Sequence, residues 1–239
     1  MGSMRLPGKV LMDLGGEPVL ARVVGRVRRA SQIQEVVVAT TVAAKDEAIV
    51  AACEGLGVRC FRGPEEDVLE RYLGAAEQFD AEAVVRITSD CPLIDPELVD
   101  EVVRCLVEGH ADYASNIRQR TYPRGLDAEA FSTEALRKAW EIVEQPHQRE
   151  HVTPLFYERP DLFRLASVQG DRDYSRYRWT LDTPDDLRLI RAMYSHFGND
   201  DDFGWRAAIA VMERFPELEN INAHVAQKAV REDAQALNA

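Results

Sequence analysis

Ala83-Val84-Val85-Arg86-Ile87-Thr88-Ser89-Asp90-Cys91-Pro92-Leu93-Ile94-Asp95-Pro96 decides the fold. The apolar, β-branched run from Ala83 to Thr88 reads as a strand. Asp95-Pro96 reads as the cap and first turn of a helix that continues through Val107. Strand, acidic loop and helix together make one unit of an open parallel sheet. In such sheets ligands bind beyond the carboxyl ends of the strands. Asp90 stands at that edge.

A second stretch has the same form. Tyr177 to Leu181 reads as a strand, and Asp182 follows it. Thr183-Pro184-Asp185-Asp186 then opens a helix through Phe197, with acids at the positive end of its dipole. Either aspartate alone suits a helix cap. Together, at one sheet edge, Asp90 and Asp182 suit a shared Mg²⁺, which usually takes one or two protein carboxylates plus substrate phosphates. A third segment, Gly2-Ser3-Met4-Arg5-Leu6-Pro7-Gly8-Lys9, combines small residues with two cations. Such loops bring backbone N–H groups and positive charge to phosphate oxygens, although a plain basic loop has the same composition.

Outward from these segments, strands and helices alternate. Helices are expected over Pro18–Ala30, Lys45–Glu54 and Glu65–Phe79, and strands over Glu35–Thr40 and Val58–Phe61. Alternation of this kind predicts parallel pairing with right-handed crossovers. The rhythm breaks in the middle. Asp112–Asn116 reads as a strand and 117–127 as an Arg-rich loop. Ser132-Thr133-Glu134 opens a helix through Val143, His147–Tyr157 reads as another, and Phe163–Val168 as a strand. Beyond an acidic turn at 198–202, Gly204–Arg214 and Asn222–Gln235 read as two more helices.

Composition narrows the function. A net charge of −12 over 239 residues argues against a general nucleic-acid binder. Near the N-terminus the balance is locally basic. There Arg22, Arg26 and Arg29 are spaced as one solvated helix face. Cys53, Cys60, Cys91 and Cys105 form no C-x-x-C pair and read as reduced thiols of a cytoplasmic protein. No segment approaches the ~18 unbroken apolar residues of a membrane span.

The three segments, in this order, resemble the sugar cytidylyltransferases, and in particular their spore-coat polysaccharide branch. The likeness is carried by Arg5 to Lys9, Arg62-Gly63 with Asp67 to Tyr72, and Thr88 to Pro96. Tyr122-Pro123-Arg124-Gly125-Leu126-Asp127, Arg149-Glu150-His151-Val152-Thr153-Pro154 and Arg178 to Leu187 extend it, so that it spans roughly residues 2–195. The family activates acidic sugars with CTP for surface glycans. The resemblance implies a nucleotide-diphospho-sugar-transferase-like (Rossmann-like) α/β domain over 1–197, with 117–170 as a sugar-site and dimerisation insertion. It leaves 198–239 as a C-terminal helical extension.

The resemblance also implies roles. Asp90 and Asp182 would hold Mg²⁺, with Lys9 beside them in catalysis and Arg5 on the outer phosphates. Arg71 would reach the nucleotide, or pair with Asp67 one turn before it. Arg124 and Asp127 would meet an acidic sugar, or sit in an exposed tight turn. Arg149 and His151 would bind substrate, His151 serving as a base or as a structural residue. A homodimer is implied. Two other functions stand beside this one. A glycosyltransferase on a similar scaffold commonly presents Asp-x-Asp, but Thr88 occupies the position two before Asp90. A non-catalytic relative is the third. One departure matters: family members carry an apolar strand before the Arg5–Lys9 loop, and Met1 stands where it should end. That strand belongs in the middle of the sheet, and coding sequence for it is expected upstream.

Overall fold

The computed structural model describes residue 3 and residues 5–227. Helices and strands alternate through the first half: β1 (Asp13–Leu14), β2 (Glu17–Pro18), α1 (Val19–Val27), β3 (Val37–Thr41), α2 (Glu47–Gly55), β4 (Arg59–Gly63), α3 (Val68–Gln78), β5 (Ala83–Arg86) and α4 (Pro96–Glu108). The second half holds β6 (Tyr113–Ser115), β7 (Glu129–Ser132), α5 (Thr133–Ile142), α6 (Pro146–His151), α7 (Pro154–Glu158), β8 (Leu165–Ser167), α8 (Pro184–His196) and α9 (Trp205–Arg214). β1 and β2 form a short hairpin.

The main sheet is in two pieces. β3 pairs with β4 in parallel, and β5, β7, β6 and β8 lie side by side in that order. β6 and β8 are parallel, while β7 runs against both its neighbours. Helices cover both faces. Val85 and Ile87 pack toward the side of α1 and α4, and Val84 toward the side of α3 and α5, as the two-residue period of a strand requires. The division between β3 and β5 falls in the middle of the sheet.

Caps fix the helices that carry the site. The Asp95 carboxylate accepts from the N–H groups of Glu97 and Leu98 at the start of α4. Its other oxygen accepts from Trp205 N–H at 2.7 Å, so one buried aspartate opens two helices and ties α9 to α4. Thr183 and Asp186 form a reciprocal capping box at the start of α8.

Four expectations need correction. Tyr177–Leu181 makes no ladder. It is an extended segment whose backbone bonds go to separate partners, at Arg124 and at the Asp90 carbonyl. His147–Tyr157 is two short helices, because Val152 takes a φ of 71° and Pro154 restarts the chain. Residues 222–227 are turn and irregular chain, and the remainder of the expected last helix lies outside the described residues. Arg22 and Arg26 are buried rather than solvated. The Arg22 side chain donates to the carbonyls of Leu14 and Gly15 and to Asp201. Arg26 donates to those of Ile94, Asp201 and Phe203. These bonds replace water at guanidinium groups whose burial would otherwise be costly. No helix among the described residues is long and apolar enough to cross a membrane.

Candidate active site

Gly8 shapes the N-terminal loop. Its φ of 72° lies in the left-handed region that glycine enters without strain, and it turns the chain into a 3-10 turn at Lys9–Leu11. The Lys9 side chain then reaches between two carboxylates. Its Nζ lies 2.6 Å from Asp90 Oδ2 and 2.9 Å from Asp182 Oδ1. Arg5 Nη2 lies 3.0 Å from Asp182 Oδ2, and Arg178 Nη2 lies 2.7 Å from the same oxygen. Lys9 and Asp182, 173 positions apart, therefore meet at one point.

Backbone bonds place the two acids. Leu181 N–H donates to the Asp90 carbonyl at 2.8 Å, which locks the segment before Asp182 onto the loop after β5. Asp186, fully buried, accepts from the N–H groups of Asp182 and Thr183 and pairs with Arg178 Nε at 2.9 Å. It thereby aims both Arg178 and Asp182.

Charge follows geometry. Burial alone would lower the pKa of Lys9, but the charges and hydrogen bonds of Asp90 and Asp182 outweigh it and raise the value above 10.5. Burial alone would raise Asp182. Lys9, Arg178 and Arg5 outweigh it and hold the carboxyl below 3.8. Both groups are therefore ionised at neutral pH.

The Arg124 turn lies alongside. Arg124 N–H donates to the Tyr177 carbonyl, and Trp179 N–H donates back to the Arg124 carbonyl. Gly125 makes this approach possible: its φ is 106°, and a Cβ there would lie 2.4 Å from the Trp179 carbonyl carbon. The Arg124 guanidinium is engaged by no hydrogen bond or ion pair among the described residues. Burial first, and then neighbouring Arg120, lower its pKa. Asp127 faces Arg120 in a two-pronged pair at 2.5 and 3.1 Å.

Arg71 and Arg149 belong to a different group. Arg71 Nη1 donates to the Pro64 carbonyl at 2.6 Å, and its side chain packs over Gly63. The side-chain pair with Asp67 does not form. Asp67 instead caps α3 and takes Arg149 Nη1 at 2.5 Å, joining α3 to α6. His151 ends α6. The structure adds Arg178, Asp186 and Arg120 to the residues that the sequence singles out. Arg178 stands four residues before Asp182, and that spacing is a signal for it. The partner of Arg120 gives none.

The family profile described as cytidylyltransferase matches residues 1–230. The chain belongs to the cytidylyltransferase family. Its spore coat polysaccharide biosynthesis relative SpsF of Bacillus subtilis is 33% identical over 225 residues, covering 91% of this chain and 92% of the relative. A 3-deoxy-manno-octulosonate cytidylyltransferase of Anaeromyxobacter dehalogenans is 30% identical, over 80% of this chain and 93% of its own. Among solved structures, a cytidylyltransferase of Leptospira borgpetersenii superposes with a TM-score of 0.87 at 34% identity, covering 91% of this chain and 92% of that one. In this cytidylyltransferase, Lys9, Asp90 and Asp182 form the contact that joins the N-terminal loop to the loop after β5 and to the segment before α8.

Proposed function

We propose that the enzyme transfers CMP from CTP to a hydroxyl of a sugar acid, with Mg²⁺, releasing pyrophosphate. The observation that carries the reading is the convergence of Asp90 and Asp182 on one cation, Lys9 Nζ, at 2.6 and 2.9 Å. Two anionic oxygen donors at one point suit a hard divalent cation. Among the described residues no group of three or more His, Cys, Asp or Glu side chains is arranged to hold a metal. A site of two carboxylates completed by substrate phosphates and water is the usual way Mg²⁺ is bound. When bound, the ion supplies charge neutralisation at the triphosphate.

The remaining work belongs to side chains. Lys9 and Arg5 meet the outer phosphates and favour departure of pyrophosphate. The sugar hydroxyl attacks the α-phosphorus as the bond to the β-phosphate oxygen breaks, and positioning and charge stabilisation make up most of the catalysis. Arg124, an uncommitted and half-buried guanidinium, takes the sugar carboxylate in the bidentate manner that a planar fork allows, with Asp127 beside it. Arg71 contributes on the nucleotide side, and Arg149 and His151 on the substrate side. The relatives' names support a sugar-acid substrate and a role in surface polysaccharide synthesis. In this reading residues 1–197 carry the chemistry, 117–170 serve the sugar site and a homodimer contact, and 198–239 form the extension.

The reading is tested by incubating the protein with CTP, candidate sugar acids and Mg²⁺ and following pyrophosphate. Release that requires both sugar acid and Mg²⁺ is expected. Release of UDP or GDP from a nucleotide sugar instead would move the protein to the glycosyltransferases. Light scattering of the purified protein tests the dimer, which a monomer at all micromolar concentrations would refute.

A further inference from the structure

Every carboxylate oxygen of Asp90 and Asp182 has a donor from the chain itself. Lys9 Nζ takes Asp90 Oδ2 at 2.6 Å and Asp182 Oδ1 at 2.9 Å. Asp182 Oδ2 accepts from Arg5 and Arg178, and Asp90 Oδ1 faces the Cys91 thiol, a weak donor, at 3.7 Å. Among the described residues, Lys9 is the one cation that touches both carboxylates. Its ammonium fills the notch between them.

That notch suits a single cation. An ion held about 2.1 Å from an oxygen of each acid would lie within ~5 Å of the ammonium, where two positive charges in a largely buried site repel strongly. The ammonium cannot join the ion's ligands, since it has three donors and no lone pair. Arg178 differs from Lys9. It is pinned by fully buried Asp186, which pairs with its Nε at 2.9 Å and also accepts from the N–H groups of Asp182 and Thr183.

Lys9 can leave the notch without moving the backbone. Its N–H donates to the Leu6 carbonyl and its carbonyl accepts from Met12 N–H, both at 3.2 Å. Val10 and Leu11, the next two residues, pack in one cluster with Leu20, Val24, Val36 and Val38. The turn is thus anchored, while the charge rides on a flexible four-carbon stem. Side-chain torsions alone let the ammonium exchange a carboxylate for a phosphate oxygen, which lysine binds as a compact point charge.

On the reading of Asp90 and Asp182 as the metal's carboxylates, we propose that Lys9 is a tethered stand-in for the divalent cation. Ammonium and ion exclude each other at the two acids. The enzyme therefore takes the ion only together with a nucleoside triphosphate, whose phosphates receive Lys9 as it leaves. The exchange keeps a cation between two like-charged acids throughout, and it delivers Lys9 to the phosphates as the ion arrives. An ion pair that only fastened the N-terminal loop would behave differently, since its loss would not improve metal binding.

Mn²⁺ titration followed by electron paramagnetic resonance tests it without any turnover. In the absence of nucleotide, Lys9→Met and Lys9→Gln should each bind Mn²⁺ at least roughly tenfold more tightly than wild type, because a like charge is removed from the site. Adding Asp90→Asn to either variant should abolish the gain. Mg²⁺ alone should raise the melting temperature of the Lys9 variants and leave that of wild type unchanged. No gain in either variant, or a gain that survives Asp90→Asn, overturns the proposal. With no gain, CTP-dependent Mn²⁺ binding that Asp90→Asn abolishes leaves the metal reading standing, and its absence overturns that reading too. Should neither variant fold, wild type decides alone. Mn²⁺ bound through Asp90 as tightly without CTP as with it overturns the stand-in, and binding that requires CTP supports it.

Discussion

Lys9 Nζ lies within 2.9 Å of both Asp90 and Asp182, although 81 and 173 residues separate it from them. A lysine on an N-terminal loop thus bridges two acids, one on the loop after β5 and one at the end of the extended segment before α8. The contact has consequences for catalysis, for pH dependence and for stability.

Asp90→Asn and Asp182→Asn should each lower the rate of pyrophosphate release by at least about a hundredfold, an effect of ~3 kcal/mol on the barrier. Asparagine keeps the shape and the hydrogen-bonding capacity of the side chain but loses the charge that a hard cation requires. Circular dichroism should be unchanged. A variant that keeps a near-native rate removes its residue from the metal site.

The same pair predicts the response to acid. The Asp182 carboxyl is held below its usual 3.8, since Lys9, Arg178 and Arg5 outweigh the effect of burial. A carboxyl depressed in the folded state adds stability that is present above the unfolded value and is lost as pH falls through the folded one. The stability difference between wild type and Asp182→Asn should therefore be constant from about pH 5 to 8 and shrink below about pH 4. Lys9, raised above 10.5, gives the opposite limb: its contribution fades as pH climbs beyond that value. Urea unfolding across pH measures both. A difference that widens in acid contradicts the assignment.

Arg26→Met should destabilise the protein by at least ~2 kcal/mol, because the carbonyls of Ile94 and Phe203 lose their donor at about 1–3 kcal/mol each, while that of Asp201 keeps Arg29 and Phe203 N–H. The guanidinium is fully buried and donates at 2.7, 2.8 and 2.9 Å to Ile94, Asp201 and Phe203. Arg26→Lys should recover little, since one ammonium does not span the three. Unfolding of either variant within ~1 kcal/mol of wild type would show that the carbonyls find other partners.

Arg124→Ala should raise the KM for the sugar acid about tenfold or more and leave the KM for CTP nearly unchanged. A charge-assisted bidentate contact is worth about 1.5–3 kcal/mol. Equal effects on both substrates would place Arg124 outside the sugar site.

Local signals in the sequence are reliable where the chemistry itself is local. Asp95-Pro96 and Thr183-Pro184 cap helices as their residue types require. Asp90 and Asp182 do meet, but only Asp90 follows a strand, and the second acid is brought in by the bond from Leu181 N–H to the Asp90 carbonyl. Arg26 has the spacing of a solvated face, yet it is buried because its acceptors lie at Ile94, Asp201 and Phe203, far along the chain. Tyr177–Leu181 has the composition of a strand but no continuous neighbour to pair with. Asn222 takes the Arg178 carbonyl, and the other bonds go to Arg124 and Asp90. The break at Val152 has a local signal in Pro154, two residues on.

The most direct test of the catalytic account follows ³¹P resonances of CTP with Mg²⁺, the purified protein and a panel of sugar acids. The account predicts a new phosphodiester signal and pyrophosphate, growing in equal amounts, from the wild-type protein and with neither the Asp90→Asn nor the Asp182→Asn variant. A folded wild-type protein that forms no phosphodiester with any sugar acid, or an Asp90→Asn variant that forms it at the wild-type rate, would contradict it.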